Sequence, residues 1–315
     1  VITLVQLQYL VAIDRHRNFA RASQACFVTQ PTLSMQVKKL EDELGIVIFD
    51  RTKKPVIATE IGRLIIDQAQ LVLNQTDQIH ETIKSFNQKI SGKIRLGIIP
   101  TLAPYLLPRF AGNLRRHYPE VQLLARELLT EEIAERLIAD ELDAGIFVTP
   151  YYNSKIREWP LFYEEMKIYT SPGHAIYSKP LIKVRDAEAP GIWLLSDGHC
   201  FRDQVINLCD IPASREQQTP YEFEGGSLET LMRIIDQEGG FTLMPDLAVL
   251  DLPAEKQPQI KSFDDYTPLR EVSLVFSRNF AKHRLLQLLF DEIRANVPAY
   301  MILPERGKVV EWKTK

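Results

Sequence analysis

Apolar residues recur at helical spacing through the first forty-five positions. Leu4, Leu7, Leu10 and Val11 share one face. Asn18 suits the cap of a second short helix running through Cys26. A third helix is predicted from Thr29-Gln30-Pro31, where Thr29 can accept a backbone N–H and Pro is tolerated in the first turn. Leu33, Val37, Leu40 and Leu44 continue its apolar stripe, and Gly45 is a natural stop. Short helices joined by a tight turn predict a helix-turn-helix. Residues 46–59 set two apolar runs either side of Arg51-Thr52-Lys53-Lys54-Pro55, the pattern of a two-stranded wing with a basic tip.

From Ile61 to Ile90 there is no Pro, and no Gly beyond Gly62. Ile65, Val72, Ile79 and Phe86 repeat every seventh residue, with Ala69, Thr76, Ile83 and Ile90 four residues behind each. This is a seam for a partner helix, so residues 60–91 are expected to form a linker and dimerisation helix. Beyond Ser91-Gly92 strand and helix patterns alternate. Strands are predicted at Lys93–Ile99, Val121–Leu124, Gly145–Val148, Phe241–Met244 and Val272–Phe276, and helices at Glu131–Glu141, Leu228–Gln237 and Ala281–Ala295. That rhythm implies an α/β domain over residues 92–303 with largely parallel sheets. Roughly 200 residues suit two Rossmann-like lobes with a cleft better than one sheet. Residues 304–315 form a charged tail without periodicity.

Charge refines this layout. Residues 1–58 hold eight Lys/Arg and five Asp/Glu, whereas the chain's net charge is −3, so a basic head precedes an acidic body. No apolar run reaches the ~18 residues of a membrane span. Val1 to Leu10 lacks the features of a secretion signal, and a cytoplasmic location away from the membrane is expected. Three cysteines cannot make a disulfide framework. In a reducing compartment, a bond between two of them would be a switch rather than a staple.

The run Leu7, Phe19, Ala22, Thr29 to Ser34, Gln36, Leu40-Glu41, Leu44-Gly45, Phe49, Arg51, Thr59 and Gly62 resembles the LysR-type transcriptional regulators. Ile61 departs from it, where the family usually has Ala. The likeness continues through Pro100, Leu107-Pro108, Phe110, Tyr118-Pro119 and Gly239 to Pro245, and so covers nearly the whole chain. It implies a winged helix-turn-helix over residues 1–59 and a periplasmic-binding-protein-like sensor domain. Gly198-His199-Cys200-Phe201-Arg202-Asp203-Gln204 with Cys209 is similar to the hydrogen-peroxide-sensing subgroup of that family. The resemblance implies Cys200 and Cys209 as the redox pair, and Thr101, Thr130, His199, Arg202, Asp203 and Arg270 as peroxide-site residues. It also implies a non-enzyme without metal or cofactor. The implied partners are double-stranded promoter DNA, hydrogen peroxide, further copies of the chain (a dimer or tetramer), RNA polymerase and a cellular thiol reductant.

The residue chemistry agrees with these roles. Gln30, Pro31, Thr32, Ser34 and Gln36 lie where a recognition helix meets base edges, with Arg51, Lys53 and Lys54 toward phosphate or the minor groove. Cys26, beside Ala22 and Ala25, reads as a small buried hydrophobe. Asp197 as N-cap would put Cys200 in the first helical turn, where free N–H groups favour the thiolate. Thr101 and Thr130 read either as N-caps or as ligand groups at strand-to-helix turns. Phe201, Val205 and Leu208 keep helical spacing between the two cysteines. Nine helical residues rise ~13 Å, and a disulfide needs Cα atoms within ~7 Å, so pairing demands that the helix unwind. The alternative function is a regulator of the same fold that binds an organic effector in the cleft between the lobes. A thiol peroxidase would leave the head unexplained.

Overall fold

The computed structural model describes residues 1–86, 90–179, 182–209, 225–278, 280 and 283–311, with backbone alone for 77, 78 and 80–86. The chain divides into two compact units, one built on Val1–Lys89 and the other on Ile90–Arg278 with Arg284–Lys315.

In the first unit α1 (Leu4–His16), α2 (Phe19–Ala25) and α3 (Gln30–Leu44) pack together. The predicted caps are in place. Asn18 Oδ1 accepts the Ala20 and Arg21 N–H groups, Thr29 Oγ1 accepts Thr32 N–H, and Gly45 stops α3 at φ +66°. β1 (Phe49–Asp50) and β2 (Ile57–Ala58) pair antiparallel as the wing. Leu10, Ile13, Ala22, Leu33, Val37, Leu40 and Phe49 form the core, and Cys26 packs partly buried against it. The long helix α4 (Glu60–Phe86) begins within that core, since Ile66 and Ala69 are buried in it and Ile65 packs against it. Farther along, Val72 and Ile79 are 44% and 62% exposed. The heptad pattern therefore divides: its first turns serve the head, and its middle presents a free apolar face. The Phe86 and Ile83 side chains lie outside the described residues.

The second unit starts with β3 (Gly92–Ile98), α5 (Ala103–His117), β4 (Val121–Glu127), α6 (Thr130–Ile138) and β5 (Ala144–Thr149). The 15-residue strand β6 (Ile156–Thr170) follows. Then come α7 (Cys200–Cys209), α8 (Leu228–Glu238), β7 (Phe241–Pro245), α9 (Asp246–Val249), β8 (Ile260–Lys261), β9 (Pro268–Ser277), α10 (His283–Ala295) and β10 (Lys308–Val309). The strand order is β4-β3-β5-β9-β6-β7. Pairing is parallel at β3 with β4 and β5, but antiparallel where β9 meets β5 and β6 and where β6 meets β7. The sheet is thus mixed, not largely parallel, because chain segments that return between lobes run against the strands they join. β6 belongs to both lobes: residues 156–165 pair with β9, and Met166–Thr170 pair with β7. Within the charged tail, β10 adds parallel to β9.

Candidate functional site

Three chain segments converge on Cys200. The turn after β3 supplies Ile99, Pro100 and Thr101; the start of α6 supplies Leu129 and Thr130; and the turn before α7 supplies Gly198 and His199. Together they wall a narrow recess, packed too tightly to hold a water molecule. Neither threonine caps its helix, since Leu102 and Leu129 hold the N-cap positions. Both hydroxyls are instead buried at the recess.

Thr101 is fixed by Arg270. The Arg270 Nη1 donates to Thr101 Oγ1 at 3.2 Å, and Nη2 donates to the Thr101 carbonyl at 3.2 Å. The third face of the guanidinium, Nε, donates to Glu164 Oε1 at 2.6 Å, while Glu164 Oε2 accepts Leu247 N–H. Both charged side chains are 0% exposed. An arginine so deeply buried needs such a partner, because an unpaired charge there costs several kcal/mol, roughly 3–5. Burial raises the Glu164 pKa, and the guanidinium and the Leu247 N–H oppose that rise. The guanidinium also stacks 5.1 Å over the Phe201 ring, which ties it to α7. One cation thus braces β6, the turn after β3 and the start of α7.

The Cys200 thiol is 3% exposed. Burial raises its pKa above the usual thiol value; a hydrogen bond from Thr130, the Arg270 charge and a backbone contact at Val148 pull it down, and the Asp203 charge pushes it up. Burial wins, so the helix start does not by itself make this thiol acidic. The Thr130 hydroxyl lies against the sulfur and has no other hydrogen-bond partner among the described residues. His199 is also buried, and its pKa is lowered by that burial, so the imidazole is neutral at pH 7.

One expectation about this helix needs correction. α7 begins at Cys200, so Asp197 is not its cap. Gly198 at φ +88° turns the chain after Asp197 and delays the helix by two residues. Asp197 lies outside, paired with Arg202 Nη1 at 3.1 Å. The cation whose charge acts on Cys200 is Arg270, 70 residues away in sequence. Asp203 is half-buried on α7 and acts on the thiol through its charge.

Cys209 ends the same helix, 1% exposed among Phe201, Val205, Ile235 and Phe241. Burial, with a smaller push from Glu188, raises its pKa to about 12. The three cysteines are free thiols. Sequence reasoning missed Glu164 and Gly226. A side chain on Gly226 would strike the His199 ring, whose Cε1 would lie 2.3 Å from the added carbon, so this glycine gives the imidazole its place. The Gly225-Gly226-Ser227 run signals a turn and helix cap but carries no hint of that contact.

In the head, Gln30, Pro31 and Thr32 are exposed at the start of α3, with Met35, Lys38 and Lys39 farther along it. Ser34 and Gln36 are half-buried, and Gln36 Oε1 accepts from Gln6 at 3.5 Å. Lys53 is exposed at the wing. Arg51 is engaged internally. It donates to Glu41 Oε2 at 2.8 Å and to Ser34 Oγ at 3.2 Å and stacks on Phe19. It therefore fixes the wing to α3. Among the described residues no cluster of His, Cys, Asp or Glu could hold a metal ion, and no helix is long and apolar enough to cross a membrane.

Similarity to known proteins extends over both units. Residues 4–63 match the bacterial regulatory helix-turn-helix protein, lysR family, and residues 87–298 match the LysR substrate binding domain. The hydrogen peroxide-inducible genes activator of Pectobacterium carotovorum subsp. carotovorum is 34% identical over 298 residues, spanning 94% of this chain and 97% of that protein. The DNA-binding transcriptional dual regulator OxyR of Escherichia coli (strain K12) is 34% identical over 301 residues, 93% of this chain and 95% of that one. Among solved structures, a full-length OxyR from Pseudomonas aeruginosa with cysteine replaced by aspartate superposes with TM-score 0.75 at 33% identity, covering 94% of this chain and 99% of that one. A peroxide-bound cysteine-to-serine mutant of OxyR from Corynebacterium glutamicum gives TM-score 0.60 at 26% identity, covering 93% and 92%.

Proposed function

Because this chain belongs to the LysR family of transcriptional regulators, in its peroxide-responsive OxyR subgroup, we propose that Cys200 is its sensor and that a Cys200–Cys209 disulfide is its switch. The observation that carries this reading is the recess, where one thiol faces Thr130 and shares its walls with Thr101 and His199. The relative from C. glutamicum was captured with hydrogen peroxide bound.

The chemistry follows from the neighbours. Arg270 and Thr130 favour the Cys200 thiolate, and the thiol proton passes to the peroxide oxygen that departs. The sulfur attacks one peroxide oxygen; an S–O bond forms, the O–O bond breaks, and the departing hydroxide is protonated to water. Cys200 is then a sulfenic acid, oxidised by two electrons. The Cys209 thiolate attacks it, forming S–S and releasing a second hydroxide that becomes water. Nine helical residues carry the two Cα atoms ~13 Å apart along the axis, so α7 must unwind for the second step. Thr101 hydroxyl, Asp203 and Arg202 complete the polar surround of the site.

The head binds promoter DNA through Gln30, Pro31, Thr32, Ser34 and Gln36, with Lys53 on the backbone and Arg51 as the brace between wing and helix. Residues 1–59 serve as the DNA-binding domain, 60–91 as the dimerisation helix through Val72 and Ile79, and 92–303 as the sensor. RNA polymerase and a cytoplasmic thiol reductant complete the cycle. The test is a DNA footprint with and without a brief peroxide pulse, with mass spectrometry of the oxidised protein. Wild type should change its footprint and carry a Cys200–Cys209 link, and Cys200→Ser should do neither while keeping basal DNA binding. A Cys200→Ser protein whose footprint still responds would sink this reading.

A further inference from the structure

The charged tail, which the mechanism above leaves without a role, is fastened to the redox helix. Gln204, one turn into α7, is 0% exposed, and its Nε2 donates to the Val310 carbonyl at 2.6 Å. One turn on, Asn207 Nδ2 donates to the Glu311 carbonyl at 3.1 Å. Val310 is itself buried in the cluster that holds Phe201, Val205 and Cys209. On its other side the tail pairs with β9. Lys308 N–H donates to Thr267 O at 3.0 Å and Val310 N–H to Leu269 O at 2.8 Å, next to Arg270. The Glu311 side chain also meets the Tyr152 hydroxyl.

Gln204 is an unusual residue to bury. Its Oε1 has no hydrogen-bond partner among the described residues, so the bond to Val310 is the compensation this amide has for leaving water. A half-satisfied buried amide gains hydration when its helix opens. The amide therefore both joins α7 to the tail and biases α7 toward unwinding once the bond is lost.

We propose that Gln204 is a positioning residue which, with the tail from Val310 onward, latches α7 closed. The latch governs the rate of disulfide closure, not of thiol oxidation, and closure releases it. This rests on the reading of Cys200 and Cys209 as the redox pair. The redox step is the one balanced above: S–S forms, the sulfenic S–O breaks, and hydroxide leaves as water. The latch contributes no atom to it. It sets how often Cys209 comes within reach of Cys200. Because both helix-side bonds start from residues between the two cysteines, the segment that must unwind is the segment that holds the tail.

The experiment uses the full chain and hydrogen peroxide, and follows sulfenic acid formation at Cys200 and disulfide closure as separate phases. Gln204→Ala should close the disulfide about fivefold faster, the effect of losing roughly one buried hydrogen bond, and a chain ending at Val309, which loses the Asn207 bond and the buried Val310 side chain as well, should close it faster still. Cys200 oxidation should stay within about twofold. Asn207→Ala should change closure less, since its bond lies at the surface. Closure rates that are unchanged or slowed, or that change in step with oxidation, overturn the latch. A wild type that never forms the Cys200–Cys209 bond overturns the redox-pair reading itself.

Discussion

Cys200 and Cys209 cap the two ends of one ten-residue helix, and both are buried. Their surroundings differ in kind. At the Cys200 end a hydroxyl, a buried guanidinium and a neutral imidazole adjoin the sulfur or its recess. At the Cys209 end the thiol lies in the apolar cluster that holds Val205, Ile235 and Phe241, and its pKa rises to about 12. Burial raises the pKa of both thiols, and what distinguishes Cys200 is a hydroxyl and a guanidinium that oppose the rise. In the proposed mechanism the same difference sets the order of events: Cys209 meets the sulfenic acid only after the helix that covers it opens.

The largest effect that would break this contrast is at the apolar end. Cys209→Ser should abolish the internal disulfide while leaving the rate of Cys200 oxidation within about twofold, and the product should stop at sulfenic acid or its over-oxidised forms. Rapid-quench mass spectrometry reads both. A Cys200–Cys26 disulfide in the oxidised wild type would show that the resolving thiol is in the head instead.

At the polar end, Arg270 is expected to contribute the next largest share. Arg270→Met alone strands the Glu164 carboxylate without its partner and should destabilise the fold. The double variant Arg270→Met with Glu164→Leu removes both buried charges, so it should fold while its thiol lacks the cation. A nearby opposite charge commonly moves a pKa by roughly 1–3 units. Oxidation by peroxide at neutral pH should slow on the order of 10- to 100-fold. The sign can be checked separately: the cation lowers the Cys200 pKa, so its loss must shift the pH profile of Cys200 alkylation toward alkaline values. A double variant with wild-type rate and profile would remove Arg270 from the site.

How much of this contrast could be read from the chain depends on the distance over which each cause acts. The head was legible because its signals are local: Asn18, Thr29 and Gly45 each act within three or four residues. The helix between the cysteines was legible from Phe201, Val205 and Leu208 for the same reason. α5 escaped the periodicity reading, since Pro104 and Pro108 interrupt its pattern although the helix accommodates both. β6 escaped too, with Pro160 and its glutamates hiding a strand buried on both sides. Asp197 is a chemically reasonable cap, and only the positive φ of Gly198 shows why the helix starts later. The brace of Arg270 on Glu164 and Thr101 joins residues 106 and 169 positions apart. No local pattern encodes it; the resemblance pointed to Arg270, and geometry supplied its partners.

The smallest and most discriminating expectation concerns Thr130. Its buried hydroxyl lies against the Cys200 sulfur without a well-formed hydrogen bond elsewhere. A hydroxyl can both donate and accept, so it can act in two separable ways. It can stabilise the thiolate, and it can donate to the peroxide oxygen that departs with negative charge. Removing a donor aimed at developing charge commonly slows a reaction ~100- to 1000-fold. Thr130 is a neutral donor, so the weak end applies, and Thr130→Val should slow oxidation by at least ~10-fold. A general alkylating reagent has no departing oxygen to stabilise and should lose only the part owed to thiolate stability. Stopped-flow rates for both reagents on both proteins give the ratio. Because Val keeps the volume of Thr, the recess retains its shape and the ratio reports the hydroxyl itself. Equal slowing toward both reagents would assign Thr130 to the thiolate alone, and the polar end of α7 would then tune its cysteine without recognising peroxide.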